Sequence, residues 1–314
     1  MKLAIFGASG RLGQEFCNYC LKKKLDFAAF VRTKEAQERL SLNCKSVLLT
    51  NEDEVKEQMQ KVSHVINLTG STNFRKSYSE LYQANVQATK NILEICKSFS
   101  NIEKFIHISS IAVYPIREGE IVNESFQANP SSNYGKTKLA AEKEVLNFSK
   151  NFKIVILQPA IIYGPLFKEG FYKVLELIKK SKMPVIGNGK NHIPLVFYSD
   201  VLEAIYLSVK KNLSNPSKFI LVHQPQLSQE ELFKLSAKEL GAKASFFHIP
   251  VFLAKFLSTL NLTNELNPEM VDQLTKDRLF DSSLAEKVLG WKPKVSFQEG
   301  IKAVVEEFFG NSGK

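Results

Sequence analysis

Three evenly spaced glycines near the amino terminus constrain the fold more than any other feature of this chain. They follow the short apolar run Lys2–Phe6 and precede a helical pattern. In such a strand–loop–helix, the first glycine permits a tight turn, the second lets the backbone approach a pyrophosphate at the helix N-terminus, and the third allows close helix–strand packing. The loop therefore predicts a dinucleotide-binding site. We expect all seven loop residues to contact the dinucleotide: Gly7, Ala8, Ser9, Gly10, Arg11, Leu12 and Gly13.

Short β-rich runs alternate with longer helical patterns through the first half of the chain. The predicted strands are Lys2–Phe6, Phe27–Val31, Ser46–Leu49, His64–Leu68, Lys104–Ser109 and Phe152–Leu157. The predicted helices are Leu12–Lys23, Lys34–Leu42, Glu54–Lys61, Tyr78–Ser98 and Tyr134–Lys150. This alternation predicts a parallel sheet covered by helices on both faces. We expect an α/β fold of the Rossmann type, with a doubly wound parallel sheet.

The alternation of predicted strands and helices ends after Pro159. Sequences typical of loops, such as Gly164-Pro165, begin there. Three later elements are predicted: a helix over Asp200–Lys210 with Asp200 as its N-cap, a strand over Lys218–Val222 and a helix over Phe297–Phe309. We expect residues 1–159 and 190–222 to form the dinucleotide-binding domain. Residues 160–189 and 223–314 are expected to form a smaller, interleaved and mostly helical substrate-binding domain.

Composition narrows the class of protein. The 314 residues, 44% of them hydrophobic, can bury a large core and exclude wholesale disorder. No uncharged apolar run approaches the roughly 18 residues that span a bilayer, so we expect a cytoplasmic protein without membrane insertion. The net charge of +10 comes from scattered lysines, without the alternating basic and aromatic residues of a nucleic-acid surface. We therefore expect a small-molecule partner and no nucleic acid.

The four cysteines and five histidines do not form a metal-binding pattern. Cys17 and Cys20 make a Cys-x-x-Cys pair, but no second pair completes a zinc site. Both lie in a helical pattern, where buried thiols are common. The histidines share no metal-ligand spacing, and His107 is predicted to be a core histidine with satisfied hydrogen bonds. We expect no metal.

The end of the second predicted strand bears on the form of the dinucleotide. An acidic side chain there accepts hydrogen bonds from the ribose of NAD, whereas a cation suits the 2′-phosphate of NADP. The sequence has Val31 followed by Arg32. We therefore expect Arg32 to contact the cofactor and NADP to be preferred, with NAD as the alternative.

A Tyr-x-x-x-Lys sequence lies at the start of a predicted helix. Its i, i+4 spacing puts Tyr134 and Lys138 on one helix face. The ammonium is expected to lower the Tyr134 pKa below its ordinary value of about 10, so that the phenol acts as general acid and base. Ser110 follows an earlier predicted strand, at the sheet edge where α/β proteins bind ligands, and can hydrogen-bond a substrate oxygen.

Together these motifs resemble the extended short-chain dehydrogenases/reductases, the NAD-dependent epimerase/dehydratase family. The shared motifs are Gly-x-x-Gly-x-x-Gly, Ser-Ser-x-x-Val-Tyr from Ser109 to Tyr114, and Tyr-Gly-x-x-Lys from Tyr134 to Lys138. The resemblance implies that Ser110, Tyr134 and Lys138 are the catalytic triad.

Further matches to this family run from Lys2 to about Ile301. Asn85 begins a stretch similar to the family's Asn-Val-x-Gly-Thr helix, which implies that it supports a proton relay. The resemblance also implies that several residues lie at the cofactor: Leu68, Thr69, Gly70, Asn85, Ser109, Tyr134, Lys138, Pro159, Ile161 and Ile162. A homodimer through the helices predicted over Tyr78–Ser98 and Tyr134–Lys150 would match the four-helix contact of family members.

The triad is compatible with several reactions that share a hydride transfer between nicotinamide C4 and a carbinol or carbonyl carbon. Our leading hypothesis is an NAD(P)-dependent oxidoreductase acting on a secondary alcohol or ketone. The alternatives are a nucleotide-sugar 4-epimerase and a non-catalytic cofactor-binding sensor or assembly protein. A dehydratase is disfavoured, because Ile111 and Ala112 follow Ser110 where dehydratases of the family usually have Asp-Glu.

Two segments bear on the substrate. Residues 191–195 lack the arginine that nucleotide-sugar epimerases usually carry there. The sequence looks more like the branch of the family that contains 3β-hydroxysteroid dehydrogenases and dihydroflavonol reductases. The apolar segment Phe246–Ala254 suits either the wall of an apolar substrate site or a core helix, and the core helix is the simpler interpretation.

Overall fold

The computed structural model describes residues 1–41, 44, 46–74, 76–167, 171–243, 245–259 and 268–312. The strands are β1 (Lys2–Phe6), β2 (Asp26–Val31), β3 (Ser46–Leu48), β4 (His64–Asn67), β5 (Lys104–Ile108), β6 (Ile121–Val122), β7 (Lys153–Pro159), β8 (Ile161–Tyr163), β9 (Met183–Ile186), β10 (His192–Ile193), β11 (Leu195–Phe197), β12 (Ser217–Leu221), β13 (Leu227–Ser228), β14 (Phe246–Ile249) and β15 (Leu279–Phe280). The helices are α1 (Arg11–Lys22), α2 (Lys34–Ser41), α3 (Glu52–Met59), α4 (Tyr78–Tyr82), α5 (Ala88–Lys97), α6 (Asn133–Leu146), α7 (Phe171–Lys179), α8 (Tyr198–Lys210), α9 (Gln229–Glu239), α10 (Val251–Thr259), α11 (Pro268–Thr275) and α12 (Phe297–Ser312).

Seven strands form one parallel sheet in the order β12-β7-β5-β4-β1-β2-β3. Strand β1 lies inside the sheet, with Ala4 opposite Ala28 of β2 on one side and opposite Val65 of β4 on the other. The chain winds outward from β1 to β3 and then returns to continue from β4 in the other direction. The two halves therefore diverge between β1 and β4, where a doubly wound sheet opens a crevice at its carboxyl edge. The predicted Rossmann-type α/β fold is confirmed.

Helices cover both faces of this sheet because its strands are apolar on both sides. Along β1, Leu3 and Ile5 belong to one buried cluster, and Ala4 and Phe6 belong to another. Such alternation is expected where successive side chains point to opposite faces and both faces are covered.

A second core lies outside the main sheet. Tyr163 of β8 is buried among the rings of Phe197 and Phe297, with centroid distances of 5.2 and 6.3 Å. This cluster joins α7, α9 and α12 with the small pair β8–β11. The cluster draws on both predicted domains, since β11 lies within residues 190–222 and the other elements lie outside that range. The division of the chain into two domains stays a prediction.

The predicted strands of the first half are found with ends that differ by at most two residues, and β1 has the predicted ends. Two helix predictions need correction. The helix predicted over Tyr134–Lys150 ends at Leu146. The one predicted over Tyr78–Ser98 contains a π-helical turn at Gln83–Gln87 between α4 and α5. Leu42, the predicted last residue of another helix, lies outside the described residues.

The prediction of Asp200 as an N-cap is wrong. Helix α8 begins at Tyr198, so Asp200 lies inside its first turn. Its carboxylate accepts hydrogen bonds from the backbone N–H groups of Lys294 and Val295, at 3.0 and 3.4 Å. Its carbonyl accepts from Trp291 Nε1 at 2.7 Å. Asp200 therefore fastens a C-terminal segment to the dinucleotide-binding part.

The interpretation of Phe246–Ala254 as a core helix is wrong as well. The segment is split between β14, which pairs in parallel with β9, and the start of α10. Ala254 is buried, but Phe252 is 75% exposed and Phe256 59% exposed. Helix α10 therefore directs its large apolar side chains outward.

Among the helices that the structure describes, none combines the length and apolarity that crossing a bilayer requires. In the same part of the chain, no group of three or more His, Cys, Asp or Glu side chains is arranged to hold a metal ion. Cys17 and Cys20 are buried free thiols in α1.

Candidate active site

The glycine loop lies at the carboxyl end of β1, in the crevice between the two halves of the sheet. Gly7 has a φ of +79°, and a Cβ there would come within 2.7 Å of the Leu68 backbone. A Cβ on Gly13 would lie 2.2 Å from the Gly7 carbonyl oxygen. A larger residue is excluded at Gly7 by the positive φ of the turn and the nearby Leu68 backbone. A larger residue is excluded at Gly13 because α1 packs directly against the glycine loop.

The first turn of α1 offers backbone N–H groups to the crevice. Gly10 is the N-cap of this helix, and no side chain of the described residues hydrogen-bonds to cap it. Exposed N–H groups and the positive end of the helix dipole favour an anion at this point. The cradle left by the glycines fits a pyrophosphate, so residues 7–13 would hold that part of a dinucleotide. Arg32 is exposed and directly follows β2, as predicted.

The loop after β4 is held against this crevice by hydrogen bonds. The Leu68 N–H donates to the Phe6 carbonyl at 3.0 Å, which continues the pairing of β4 with β1. The N–H and hydroxyl of Thr69 donate to Asn67 Oδ1 at 3.0 and 2.5 Å. Gly70 has a φ of +148°, and a Cβ there would lie 2.8 Å from Asn85 Oδ1.

Asn85 ties three parts of the site together from its place in the π-helical turn. Its Oδ1 accepts from the Ser71 N–H at 2.6 Å, and its Nδ2 donates to Thr137 Oγ1 at 3.0 Å. Thr137 lies on α6 between the two residues of the Tyr-x-x-x-Lys motif. π-Helical turns of this kind are frequent at functional sites. The described contacts of the Asn85 side chain make it a brace between the β4 loop and α6.

Ser110 and Tyr134 face each other because α6 packs unusually close to the turn after β5. A Cβ on Gly135 would lie 2.2 Å from the Ala112 carbonyl oxygen, so only glycine allows this approach. Ser132 caps α6 by accepting from the Gly135 N–H at 2.8 Å. The Ser110 hydroxyl accepts from the Ala112 N–H at 3.2 Å. It lies close enough to the Tyr134 phenol to act on its pKa.

The expectation that Lys138 lowers the pKa of Tyr134 is wrong for the polypeptide alone. Burial raises the pKa of Tyr134 to about 12, although the Ser110 side chain acts in the opposite direction. The Lys138 ammonium donates to the Ile108 carbonyl at 2.6 Å. Burial lowers the pKa of Lys138 to about 8, and the nearby Glu142 carboxylate opposes that shift.

A buried polar chain behind the triad was not predicted from the sequence. Glu142, one turn after Lys138 on α6, accepts from Gln158 Nε2 at 2.8 Å. Gln158 Oε1 in turn accepts from the Tyr114 hydroxyl at 2.8 Å. Burial raises the pKa of Glu142. The i, i+4 spacing of Lys138 and Glu142 was the only signal available in the sequence.

Phe74 is a second residue that sequence reasoning missed. It lies in the loop after β4, and its ring meets the Tyr134 ring edge-on at a centroid distance of 4.9 Å. Its side chain is largely exposed, as is that of Ile161 at the carboxyl edge of the sheet. Through its contact with Tyr134, Phe74 borders the candidate site.

The prediction for His107 is only half right. The ring is fully buried, and its Nδ1 lies 3.2 Å from Asn67 Nδ2, so that nitrogen accepts a hydrogen bond. Its Nε2 is buried without a partner in the described part of the chain. Burial holds the pKa of His107 well below its ordinary value, and Lys138 adds to that effect.

This arrangement places a phenol, a hydroxyl and an ammonium at the carboxyl edge of a dinucleotide-binding sheet. The fold and the site define a nicotinamide-dependent enzyme of the short-chain dehydrogenase type. The sequence model of the NAD dependent epimerase/dehydratase family matches residues 3–221. The chain belongs to this family, whose members are enzymes, so the non-catalytic hypothesis is not retained.

Relatives in the family differ in what they act on. The chain is 28% identical to a UDP-glucose 4-epimerase of Vibrio cholerae over 67% of its own length and 64% of that protein. It is 24% identical to the mouse decarboxylating sterol-4-alpha-carboxylate 3-dehydrogenase, with 98% and 91% of the two chains covered. A Bacillus cereus UDP-glucuronic acid 4-epimerase solved with NAD has a TM-score of 0.78 at 23% identity and 99% coverage of both chains. The structural likeness supports the fold.

Proposed function

We propose that this chain is an NAD(P)-dependent oxidoreductase that interconverts a secondary alcohol and a ketone of a small molecule. The observation that carries the proposal is the close approach of the Ser110 turn to Tyr134, with Lys138 buried one turn further along α6. When bound, the nicotinamide supplies the hydride chemistry and, in its oxidised form, a positive charge beside the site. The residues of the chain supply proton transfer, positioning and exclusion of water.

In this proposal Tyr134 moves the proton of the substrate hydroxyl, and Ser110 holds the substrate oxygen. A pKa of about 12 keeps the proton on Tyr134, which suits an acid that protonates a developing alkoxide during ketone reduction. Alcohol oxidation requires the phenolate, so a nearby cation must offset the effect of burial. Lys138 is the cation of the chain placed to do this. We propose that Asn85 supports the proton relay through the brace that it forms with α6.

We also propose the set of residues at the cofactor. The pyrophosphate would lie on Gly7, Ala8, Ser9, Gly10, Arg11, Leu12 and Gly13. The remainder of the cofactor would contact Arg32, Leu68, Thr69, Gly70, Asn85, Ser109, Tyr134, Lys138, Pro159, Ile161 and Ile162. Most of these residues lie at or after the carboxyl end of a strand of the main sheet, in α6 or in the π-helical turn, which supports a common site.

Replacing Tyr134 tests the proposed function. The protein is denatured, and the released dinucleotide is identified by mass spectrometry. A panel of alcohols and ketones is then screened for a change in the absorbance of the reduced nicotinamide. We expect Tyr134→Phe to lower kcat about 10²- to 10⁴-fold while dinucleotide binding persists. Tyr78→Phe, at an exposed tyrosine of α4, is the matched control. Unchanged turnover in Tyr134→Phe contradicts the proposal.

A nucleotide-sugar 4-epimerase is the second candidate, and the Vibrio cholerae relative favours it. Its signature is a chain that purifies with tightly held NAD⁺ and converts UDP-sugars with no net change in reduced nicotinamide. Observation of that behaviour replaces the oxidoreductase proposal.

We propose NADP as the preferred cofactor because Arg32 directly follows β2, where the 2′ position is bound in this fold. A charge-assisted contact to the 2′-phosphate is worth about 1.5–3 kcal/mol, which corresponds to an affinity loss of about 10- to 100-fold on its removal. We expect Arg32→Gln to weaken NADPH binding by that factor and to leave NADH binding unchanged. Lys34→Gln, two residues on, is the control. Equal NADPH affinities in wild type and Arg32→Gln contradict the assignment.

A further inference from the structure

A cleft of about 620 Å³ opens at the amino edge of the main sheet, on the side opposite the candidate active site. Strands β5 and β7 begin at this cleft, and the last residues of α8 line it. Its volume lies within the range of about 300–1000 Å³ that is typical of small-molecule sites. The described lining is rich in positive charge, with five lysines and one carboxylate: Lys104, Lys150, Lys153, Lys210, Lys211 and Glu103.

The register of the sheet brings basic residues side by side at this edge. Lys104 of β5 lies opposite Lys153 of β7 and, on its other side, opposite His64 of β4. Residues opposite each other in a sheet project to the same face, where like charges repel. Burial lowers the pKa of Lys104, and Lys153 adds to that effect while Glu103 opposes it. The two ammonium groups therefore act on each other across neighbouring strands.

Hydrogen bonds within the protein satisfy only part of this charge. Lys104 Nζ donates to three carbonyls at the C-terminal end of α8, which accounts for its donors. Lys153 Nζ donates to Asn212 Oδ1 at 2.5 Å, and this acceptor is neutral. Lys150 and Lys153 are both exposed, and neither forms an ion pair within the described part of the chain. These two lysines therefore keep their charges available for a ligand.

The ends of helices do not balance the remaining lysines. Helix α8 finishes in the cleft, and α6 finishes shortly before Ser149, which lines it. Each C-terminal end is equivalent to about half a negative charge, so the two ends together offset about one lysine. Lys104 already serves the end of α8, and Glu103 offsets one more lysine. The surplus positive charge lies in a concave region, where a field of one sign concentrates counter-ions.

We propose that this cleft binds a polyphosphate group, with Lys150 and Lys153 as its principal contacts. Lysines bind phosphate as separate point charges, whereas the forked guanidinium of arginine matches the two oxygens of a carboxylate. No arginine occurs among the described residues that line the cleft. Either a nucleotide or inorganic tripolyphosphate carries a group of this chemistry. Because the cleft and the glycine loop lie at opposite edges of the sheet, the site is separate from the proposed dinucleotide crevice.

Calorimetric titration of the whole chain tests the site, with sodium tripolyphosphate and ATP as the two probes. NADH and NADPH are both present in excess, so that the dinucleotide crevice is occupied. The test variant Lys150→Gln/Lys153→Gln removes both charges, and Lys150→Arg/Lys153→Arg keeps them. Lys238→Gln/Lys243→Gln is the matched control, since these two lysines are exposed and lie outside the cleft.

We expect Lys150→Gln/Lys153→Gln to weaken tripolyphosphate binding about 10-fold, because each contact between exposed opposite charges is worth a factor of up to about 5. The arginine variant and the control should bind as wild type does. Tighter binding of ATP than of tripolyphosphate, lost in the glutamine variant, identifies a nucleotide as the source. If ATP binds no more tightly, the phosphate chain alone is recognised.

The stability of the protein without ligand separates a binding site from a structural role. The glutamine variant should unfold at the same temperature as wild type or higher, since it relieves the repulsion between Lys104 and Lys153. A lower unfolding temperature indicates that the lysines balance helix ends, and it overturns the proposal.

Three binding results also overturn the proposal. The first is equal affinity of wild type and the glutamine variant for tripolyphosphate, and the second is no measurable binding to wild type. The third is an equal loss of affinity in the Lys238→Gln/Lys243→Gln control, which indicates attraction by the net charge of the whole chain. Binding is measured without turnover, so the outcome does not depend on the proposed function.

Discussion

Gly135 sets the distance between α6, which carries Tyr134, and the turn after β5, which carries Ser110. Its neighbour Tyr134 reaches Ser110 only because the α6 backbone comes so close to the Ala112 carbonyl that a Cβ would overlap it. Gly135, the first of the three residues between Tyr134 and Lys138, therefore sets the geometry of the candidate site through packing, although it has no side chain.

Gly135→Ala should damage both stability and activity. The methyl group forces α6 and the Ser110 turn apart, at a cost of about 1–3 kcal/mol for an overpacked contact. A displacement of about 1 Å at a catalytic group lowers turnover about 100-fold. Denaturant unfolding and steady-state kinetics measure the two effects. Gly310→Ala is the matched control, since a Cβ there meets nothing within 4 Å in α12. Wild-type activity in Gly135→Ala would contradict this account of the site.

Glu142→Gln should move the pH dependence of activity. The Glu142 carboxylate supports the charged form of Lys138, whose pKa is about 8. Without that carboxylate the Lys138 pKa falls further, so Lys138 loses its charge at lower pH. We expect the alkaline limb of kcat against pH to shift to lower pH in Glu142→Gln. Glu144→Gln, two residues along α6, should leave the limb in place. An unchanged limb in Glu142→Gln contradicts the coupling.

The same substitution predicts a pH-dependent change in stability. Burial raises the Glu142 pKa above its ordinary value of 4.5, so the folded state holds this proton more tightly than the unfolded state. The contribution of Glu142 to stability is therefore complete below about pH 4.5 and is lost as the pH rises through the folded pKa. The free energy of unfolding of Glu142→Gln, relative to wild type, should increase over that range. A constant difference between the two proteins would contradict the raised pKa.

At this scale, the residues that sequence reasoning placed correctly are those whose role is local. The glycine loop joins β1 directly to α1, so the spacing of its glycines alone predicts its geometry. Phe74 and Gln158 escaped prediction because their neighbours in the site are distant in sequence. The Tyr134 pKa was predicted in the wrong direction because burial, which spacing does not reveal, raises it, and only Ser110 acts the other way.

Among the elements, α8 is capped at its C-terminal end by one side chain from another element. Lys104 begins β5, and its ammonium donates to the Ser208, Val209 and Lys211 carbonyls at 2.8, 3.1 and 2.8 Å. These groups belong to the C-terminal end of α8, where carbonyls lack partners within the helix and cations are favoured by the dipole. The cap lies at the amino edge of the sheet, opposite the candidate active site.

Lys104→Met should destabilise the protein without reducing catalysis. Three carbonyls, two of them in the buried residues Ser208 and Val209, lose a charged donor. We expect this loss to lower the free energy of unfolding by about 2–3 kcal/mol. The measurement is denaturant unfolding, paired with kcat. Lys56→Met, at an exposed lysine of α3, is the control. Loss of kcat with unchanged stability would contradict a purely capping role.

Element prediction succeeded where strands are buried on both faces, because such strands are continuous apolar runs. It failed for pairs such as β6–β15 and β10–β13, in which each strand has two residues. A two-residue strand has no readable period, and its partner is far along the chain. The Phe246–Ala254 error has a different cause, since an apolar run does not reveal whether its side chains point inward.

At the scale of the whole molecule, the helices α5 and α6 pack side by side and are joined by an ion pair of 3.3 Å between Lys90 and Glu144. With α4 they form the surface that we propose for a four-helix homodimer contact. The exposed side chains Tyr78 and Leu146 lie on these elements.

Leu146→Asp should weaken this dimer. The leucine is 37% exposed on α6, and a carboxylate there would be desolvated in the contact. We expect light scattering to give the mass of two chains for wild type and of one chain for Leu146→Asp at micromolar concentration. Leu253→Asp is the matched control, since that leucine is 39% exposed on α10, outside the contact. A wild-type mass of one chain contradicts the dimer.

The order in which strands enter the main sheet has a consequence for synthesis of the chain. All seven strands have been made once Leu221 leaves the ribosome, so the parallel sheet can assemble before β15 exists. The segment that follows then closes over surfaces already in place, with Phe280 against Tyr114 and the Trp291 indole against the Asp200 carbonyl. A chain halted between these stages holds a finished sheet but leaves apolar surface uncovered, and we expect chaperones to bind it at that moment.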